Sequence, residues 1–266
     1  MAAPARAVSL QAYVLHSHEW SESSLIVELL TRERGRLAVV AKGARRPYSQ
    51  LRAVLNPFQR IAITLARTPP DEASDLFNLR QAEWLGGHAP LSGSALFAGF
   101  YLNELLIKSL ARLDPHPVLF DAYAATLPAL SSPEDQRAQA ALRAFELLLL
   151  RLIGVLPDLS RVTATQQPLT AGGAYALHPE QGVVSASSGA ADESFGIDGA
   201  LLCALEASLA EVQVGQIQAA CLQAPGPLRQ GLRHLLHHHL GTAQMRTRQV
   251  FLGVQRLLET QPRLQR

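Results

Sequence analysis

The sequence predicts an α+β protein in which a small closed β-barrel precedes a helical body. Three observations predict it. Five short apolar runs fall within the first 85 residues, helical spacing takes over from Pro90, and a stretch rich in Gly, Ser, Thr and Gln interrupts that spacing between residues 158 and 198.

The barrel comes first. Residues 10–15, 25–30 and 37–41 form three apolar runs, and Thr31-Arg32-Glu33-Arg34-Gly35 between the second and third reads as a hairpin turn with a permissive Gly35 backbone. Ile61-Ala62-Ile63-Thr64-Leu65 alternates as a fourth strand, and Pro57 stands before it where a missing N–H is tolerated. Residues 75–84 supply a fifth. Five short strands with no long helix between them fit an OB-fold barrel, and an SH3-like barrel would show the same pattern.

Beyond Pro90, Leu96, Gly99, Leu102, Leu106 and Leu110 keep helical spacing after Ser92, a capping residue type. Pro117 opens a second helix. Ser132-Pro133-Glu134-Asp135 predicts a third start, with a capping hydroxyl, proline at the first helical position and acids in the first turn. That helix carries leucine on nearly every face as far as Gly154, which marks it as the buried centre of a bundle. Within residues 158–198, short strands are expected at 175–177 and 183–184, with turns at Gly172-Gly173 and Gln181-Gly182. Helical spacing resumes through Leu201, Leu205 and Leu209, and again from Leu228 to Leu236. A last helix would carry Val250, Phe251, Val254, Leu257 and Leu258.

A net charge of +2 conceals an uneven distribution. Residues 32–67 hold nine arginines and lysines against the single acid Glu33, and the tail from Arg229 holds seven arginines against Glu259. Basic ends around an acidic middle suggest a polyanionic partner. The most informative segment is residues 35–49, where a strand delivers Lys42, Arg45 and Arg46 into a loop around Gly43, followed by the ring of Tyr48. Such a loop suits phosphates without regard to base sequence, with a ring available for stacking. The competing reading is a hairpin with a solvated basic tip.

Other chemistry finds little support. The sequence holds no phosphate-binding Gly-x-x-x-x-Gly-Lys-Ser/Thr loop and no Gly-x-Ser-x-Gly elbow. His234 and His238 have usable ligand spacing, but the neighbourhood lacks acids, and a polar helix face explains them more simply. Two cysteines, Cys203 and Cys221, stand at apolar helical positions, which excludes a disulfide framework and fits a reducing cytoplasm. No stretch reaches 18 uncharged apolar residues, and the first ten residues lack a secretory pattern. No catalytic residue, cofactor or metal is expected.

Several segments, taken in order, resemble the RecO family of DNA-repair recombination mediators. They are Trp20-Ser21-Glu22-Ser23-Ser24-Leu25, Thr31-Arg32-Glu33-Arg34-Gly35-Arg36, Lys42-Gly43-Ala44-Arg45 and Leu55-Asn56-Pro57-Phe58. Tyr101-Leu102-Asn103-Glu104-Leu105-Leu106, Arg143-Ala144-Phe145-Glu146 and the tail Leu240-Gly241-Thr242 onward continue the match. The resemblance covers nearly the whole chain. It implies an OB-fold DNA-binding domain at residues 1–84, a helical domain at 85–157, a small zinc-ribbon-like insertion at 158–198, and C-terminal helices at 199–266 that pack on the helical domain. It implies action in the RecF pathway: binding of single- and double-stranded DNA, strand annealing, and help for RecA in displacing single-stranded-DNA-binding protein. The expected partners are RecR and the acidic, apolar tail of that binding protein, in a cytoplasmic, nucleoid-associated setting. The alternative is a protein-interaction scaffold without direct DNA binding.

Arg34, Arg36, Lys42, Arg45, Arg46, Tyr48, Arg52, Arg246 and Arg248 are the expected DNA contacts. Arg143 is the expected contact for the partner's tail, unless it is satisfied by a local acid such as Glu146. The sequence departs from the family where many members carry two Cys-x-x-Cys pairs, since Val162, Thr165, Ser185 and Ser188 stand there. The insertion is therefore expected to be metal-free and to hold by packing alone.

Overall fold

The computed structural model describes residues 9–66, 76–186, 196–241, 245–247, 249, 250 and 253. The chain divides into two compact units, residues 1–90 with 105–127 and residues 91–104 with 128–266.

In the first unit, β1 (Ser9–Glu19), β2 (Leu25–Thr31), β3 (Gly35–Ala41), β4 (Arg60–Leu65) and β5 (Leu76–Trp84) close a barrel in the order β1-β2-β3-β5-β4. β3 and β5 pair in parallel and β1 returns to β4, which is the OB arrangement. Alternate residues such as Val14, Val27, Leu29, Leu37, Val39 and Ile61 fill the interior. A short helix, α1 (Gln50–Val54), follows β3, and Leu55 beyond it joins the core.

Two local features shape the barrel's outer surface. The register of β1 slips between Val14, opposite Leu29, and His16, opposite Glu28. This bulge bends the strand and places His16 and His18 opposite Glu28 and Ile26 on the outer face, because Val27 and Leu29 take the inner one. Gly35 ends the β2–β3 turn at φ +69°, and a Cβ there would lie 1.9 Å from the Asp114 carbonyl oxygen.

Residues 105–127 join this unit through particular contacts, which is why its boundary differs from one drawn at residue 84. The Tyr13 ring lies 5.2 Å from Phe120 and 5.0 Å from Tyr123, both on α3 (Pro117–Ala129). The Arg36 carbonyl accepts from the Leu113 N–H at 2.8 Å.

The second unit is built around α4 (Asp135–Leu152), whose residues from Ala140 to Leu150 are all buried. It packs against α5 (Gly199–Ala210), α6 (Val214–Cys221) and α7 (Pro225–Leu240). α2 (Gly93–Ser109) contributes residues to both units. The start of α4 differs from the sequence expectation. Ser132 Oγ accepts from the Glu134 N–H at 3.3 Å in a turn of its own, so the helix begins at Asp135 with Glu134 as an N-cap whose side chain pairs with Arg137 at 2.8 Å and caps no N–H. Its end follows expectation: Gly154, at φ +78°, donates to the Arg151 carbonyl while Val155 donates to that of Leu150.

The insertion forms a three-stranded sheet in the order β7-β6-β8, from β6 (Ala174–His178), β7 (Gly182–Ser185) and β8 (Ile197–Asp198). Packing is not its sole support. Thr163 Oγ1 accepts from the Val183 N–H at 2.9 Å, and the Tyr175 hydroxyl accepts from the Thr170 N–H at 3.0 Å. Asp198 caps α5 by accepting from Ala200 at 2.7 Å and also holds the Gly172 N–H at 2.9 Å. Val162, Thr165 and Ser185 offer no thiolate or imidazole, and Ser188 lies outside the described residues. Among the described residues no group of three His, Cys, Asp or Glu could hold a metal ion.

Of the last expected helix only Val250 is described among its apolar positions, and it is exposed. Among the described residues no helix is long and apolar enough to cross a membrane.

Candidate nucleic-acid interface and a basic apolar pocket

β3 ends at Ala41, and a chain of turns then carries the backbone from Lys42 to α1. Arg46 donates to the Gly43 carbonyl at 3.2 Å, Ser49 to Arg46 at 3.1 Å and Arg52 to Ser49 at 3.2 Å. Ala44 is fully buried in the barrel core and anchors the loop from inside. Lys42, Arg45, Arg46, Tyr48 and Arg52 all point into solvent, and the Tyr48 ring is 99% exposed. The loop thus gathers four cations and one ring.

Arg45 has a second task. Its guanidinium meets Glu19 at 2.9 Å and donates to the Ser21 carbonyl at 3.0 Å, while its N–H donates to the Ser23 carbonyl at 3.0 Å. These three links fasten the basic loop to the β1–β2 turn.

The other expected DNA contacts lie elsewhere. Arg36 is 14% exposed and is held by Glu28 at 3.2 Å and the Leu110 carbonyl at 3.1 Å. Arg34 is exposed, but it sits in the β2–β3 turn at the far end of β3 from Lys42, roughly 25 Å away at about 3.3 Å per residue. The Arg246 side chain is exposed in the other unit, where the Glu104 carboxylate accepts from the N–H groups of Arg246 and Thr247 at 2.9 Å each. Arg248 lies outside the described residues.

The second unit contains a cavity of about 350 Å³ between α2, α4 and α7. Phe97, Leu142 and Leu236 give it apolar walls, and Arg143, Arg229 and Arg233 give it positive charge. At its base the fully buried Glu146 accepts from the Tyr101 hydroxyl at 2.7 Å and pairs with Arg143, also at 2.7 Å. Burial raises the Glu146 carboxyl above its ordinary value, against the opposing pull of Arg143 and the Tyr101 hydroxyl. Arg143 Nε is buried without a hydrogen-bond partner among the described residues. Arg143 is therefore paired by charge with Glu146, whose Oε2 makes no hydrogen bond among the described residues, and keeps one donor unspent. Sequence reasoning missed Arg229, Arg233 and Tyr101. The four-residue spacing of the two arginines was a signal, but the Tyr101 contact spans 45 residues.

An OB barrel with a basic loop, followed by a helical unit with an arginine-lined pocket, defines a two-part α+β protein with two positively charged candidate sites. Residues 6–88 match the family described as recombination protein O N terminal, and residues 91–249 match recombination protein O C terminal. The chain is 44% identical over 247 residues to the DNA repair protein RecO of Polaromonas naphthalenivorans, covering 92% of this chain and 96% of that one. It is also 44% identical over 258 residues to that of Verminephrobacter eiseniae, covering 97% and 100%. The chain belongs to the RecO family of DNA repair proteins.

Proposed function

We propose that this protein is a recombination mediator that binds single- and double-stranded DNA through the barrel's basic loop and catalyses no covalent chemistry. Lys42, Arg46 and Arg52 engage phosphates, Tyr48 offers a stacking surface, and Arg45 holds the loop in place. Neutralising the charge on two strands lets them approach and anneal. The observation that carries the reading is the exposure of four cations and Tyr48 in one loop anchored by the buried Ala44. Arg34 in the β2–β3 turn, with Arg246 and Arg248 of the tail, would add further phosphate contacts.

In this reading the cavity of the helical unit takes the acidic, apolar tail of single-stranded-DNA-binding protein. Arg229 and the unspent Nε of Arg143 suit carboxylates, while Phe97 and Leu236 suit an apolar side chain. With RecR as a further partner, the protein would help RecA load on coated DNA, in the cytoplasm and associated with the nucleoid. Strand annealing of two labelled complementary oligonucleotides tests the proposal. The unaltered protein should accelerate annealing and the K42A/R46A variant should not. Equal acceleration by both would reject the loop as the DNA contact.

A further inference from the structure

The barrel also carries a row of rings that its packing does not explain. The bulge in β1 turns His16 and His18 to the outer face, where their rings meet edge to face at 4.3 Å. Partial burial and then His18 hold His16 below the ordinary imidazole value, so its ring is neutral near neutral pH. Trp20 stands one residue beyond the end of β1 and two from His18, and is 61% exposed. An indole left in water keeps a large apolar face open to a ligand.

The turn that carries Trp20 is fastened on both sides. The Trp20 N–H donates to the Ser24 carbonyl at 3.1 Å, and the neighbouring residues Glu19 and Ser21 are both held by Arg45. The indole therefore sits on a braced turn beside the loop of Lys42 and Arg46. Stacking rings next to phosphate-binding cations match one chemistry, a single-stranded nucleic acid. A duplex hides the faces of its bases in its own stack and can use only the cations.

We infer that Trp20, with His16 and His18 beside it, is a base-stacking strip that gives single strands a contact duplex DNA cannot make. This inference rests on the DNA-binding reading above. The test uses the full-length protein and fluorescence anisotropy with a short labelled oligothymidine and a duplex of the same length. Trp20→Ala should weaken single-strand binding about tenfold and leave duplex binding within about twofold, whereas Trp20→Phe should retain most of the affinity.

The sequence has two tryptophans, so Trp84→Phe leaves Trp20 as the sole indole. Oligothymidine should quench the emission of that variant and leave Trp20→Phe, which retains Trp84, unquenched. Equal loss on both DNAs, or unchanged single-strand affinity in Trp20→Ala, would overturn the strip while the cationic loop stands. Binding of neither DNA by the unaltered protein would overturn the DNA-binding reading, and the strip with it.

Discussion

Arg36 sets its guanidinium 3.2 Å from the Glu28 carboxylate on the outer face of the barrel, and Arg112 reaches the other carboxylate oxygen at 2.5 Å. Glu28 is 7% exposed, so its charge needs both partners. Arg36→Ala should therefore act on folding. We expect a loss of about 1–3 kcal/mol in urea unfolding, tempered by the remaining Arg112, and unchanged DNA affinity well below the melting temperature. Weakened DNA binding without destabilisation would return Arg36 to the phosphate contacts.

The pocket arginines should separate in the same way. Arg143→Ala strands the buried Glu146 and should cost about 3 kcal/mol of stability as well as weakening an acidic, apolar peptide. Arg229 is exposed, so Arg229→Ala should weaken the peptide while changing stability by no more than about 0.5 kcal/mol. Calorimetric titration with the peptide, together with urea unfolding, checks both.

Glu146 predicts a pH dependence. Its carboxyl is raised by burial, so the folded chain keeps the proton over a range in which the unfolded chain has lost it. Its contribution to stability is full below the unfolded value of about 4.3 and is lost as pH rises through the higher folded value. The unfolding free energy of the unaltered protein relative to Glu146→Gln should therefore fall as pH climbs out of the acid range. A flat or rising difference would contradict this.

Cys221 is buried on α6, and that burial pushes its thiol up to about 12. The thiolate is the reactive form, so iodoacetamide should leave Cys221 unmodified in native buffer and alkylate it in urea. Peptide mass spectrometry reads the result at Cys221 separately from the partly exposed Cys203.

How much of this was legible in the sequence follows from the range over which each feature is set. The five strands announce themselves in local apolar runs, Gly35 marks the β2–β3 turn and Gly154 the end of α4, because backbone sterics act on single residues. The loop of Lys42, Arg45, Arg46 and Tyr48 was legible because it is contiguous. The bulge in β1 was not, since it exists only in the pairing with β2, and it decides which way His16 and His18 face. Nothing near Arg36 in sequence announces that Arg112, 84 residues beyond Glu28, shares its carboxylate partner. Ser132 shows a different limit. Its residue type suited a cap, but its hydroxyl serves the turn before the helix.

The salt dependence of single-strand binding tests the central claim most directly. Fluorescence anisotropy with a labelled oligonucleotide, at several salt concentrations, should show affinity falling steeply as salt rises in the unaltered protein. In K42A/R46A the slope of log affinity against log salt should be shallower by about 1.4, at about 0.7 for each lost phosphate contact on a single strand. Unaltered slope and affinity in that variant would show that the loop is a solvated hairpin tip and would contradict the account.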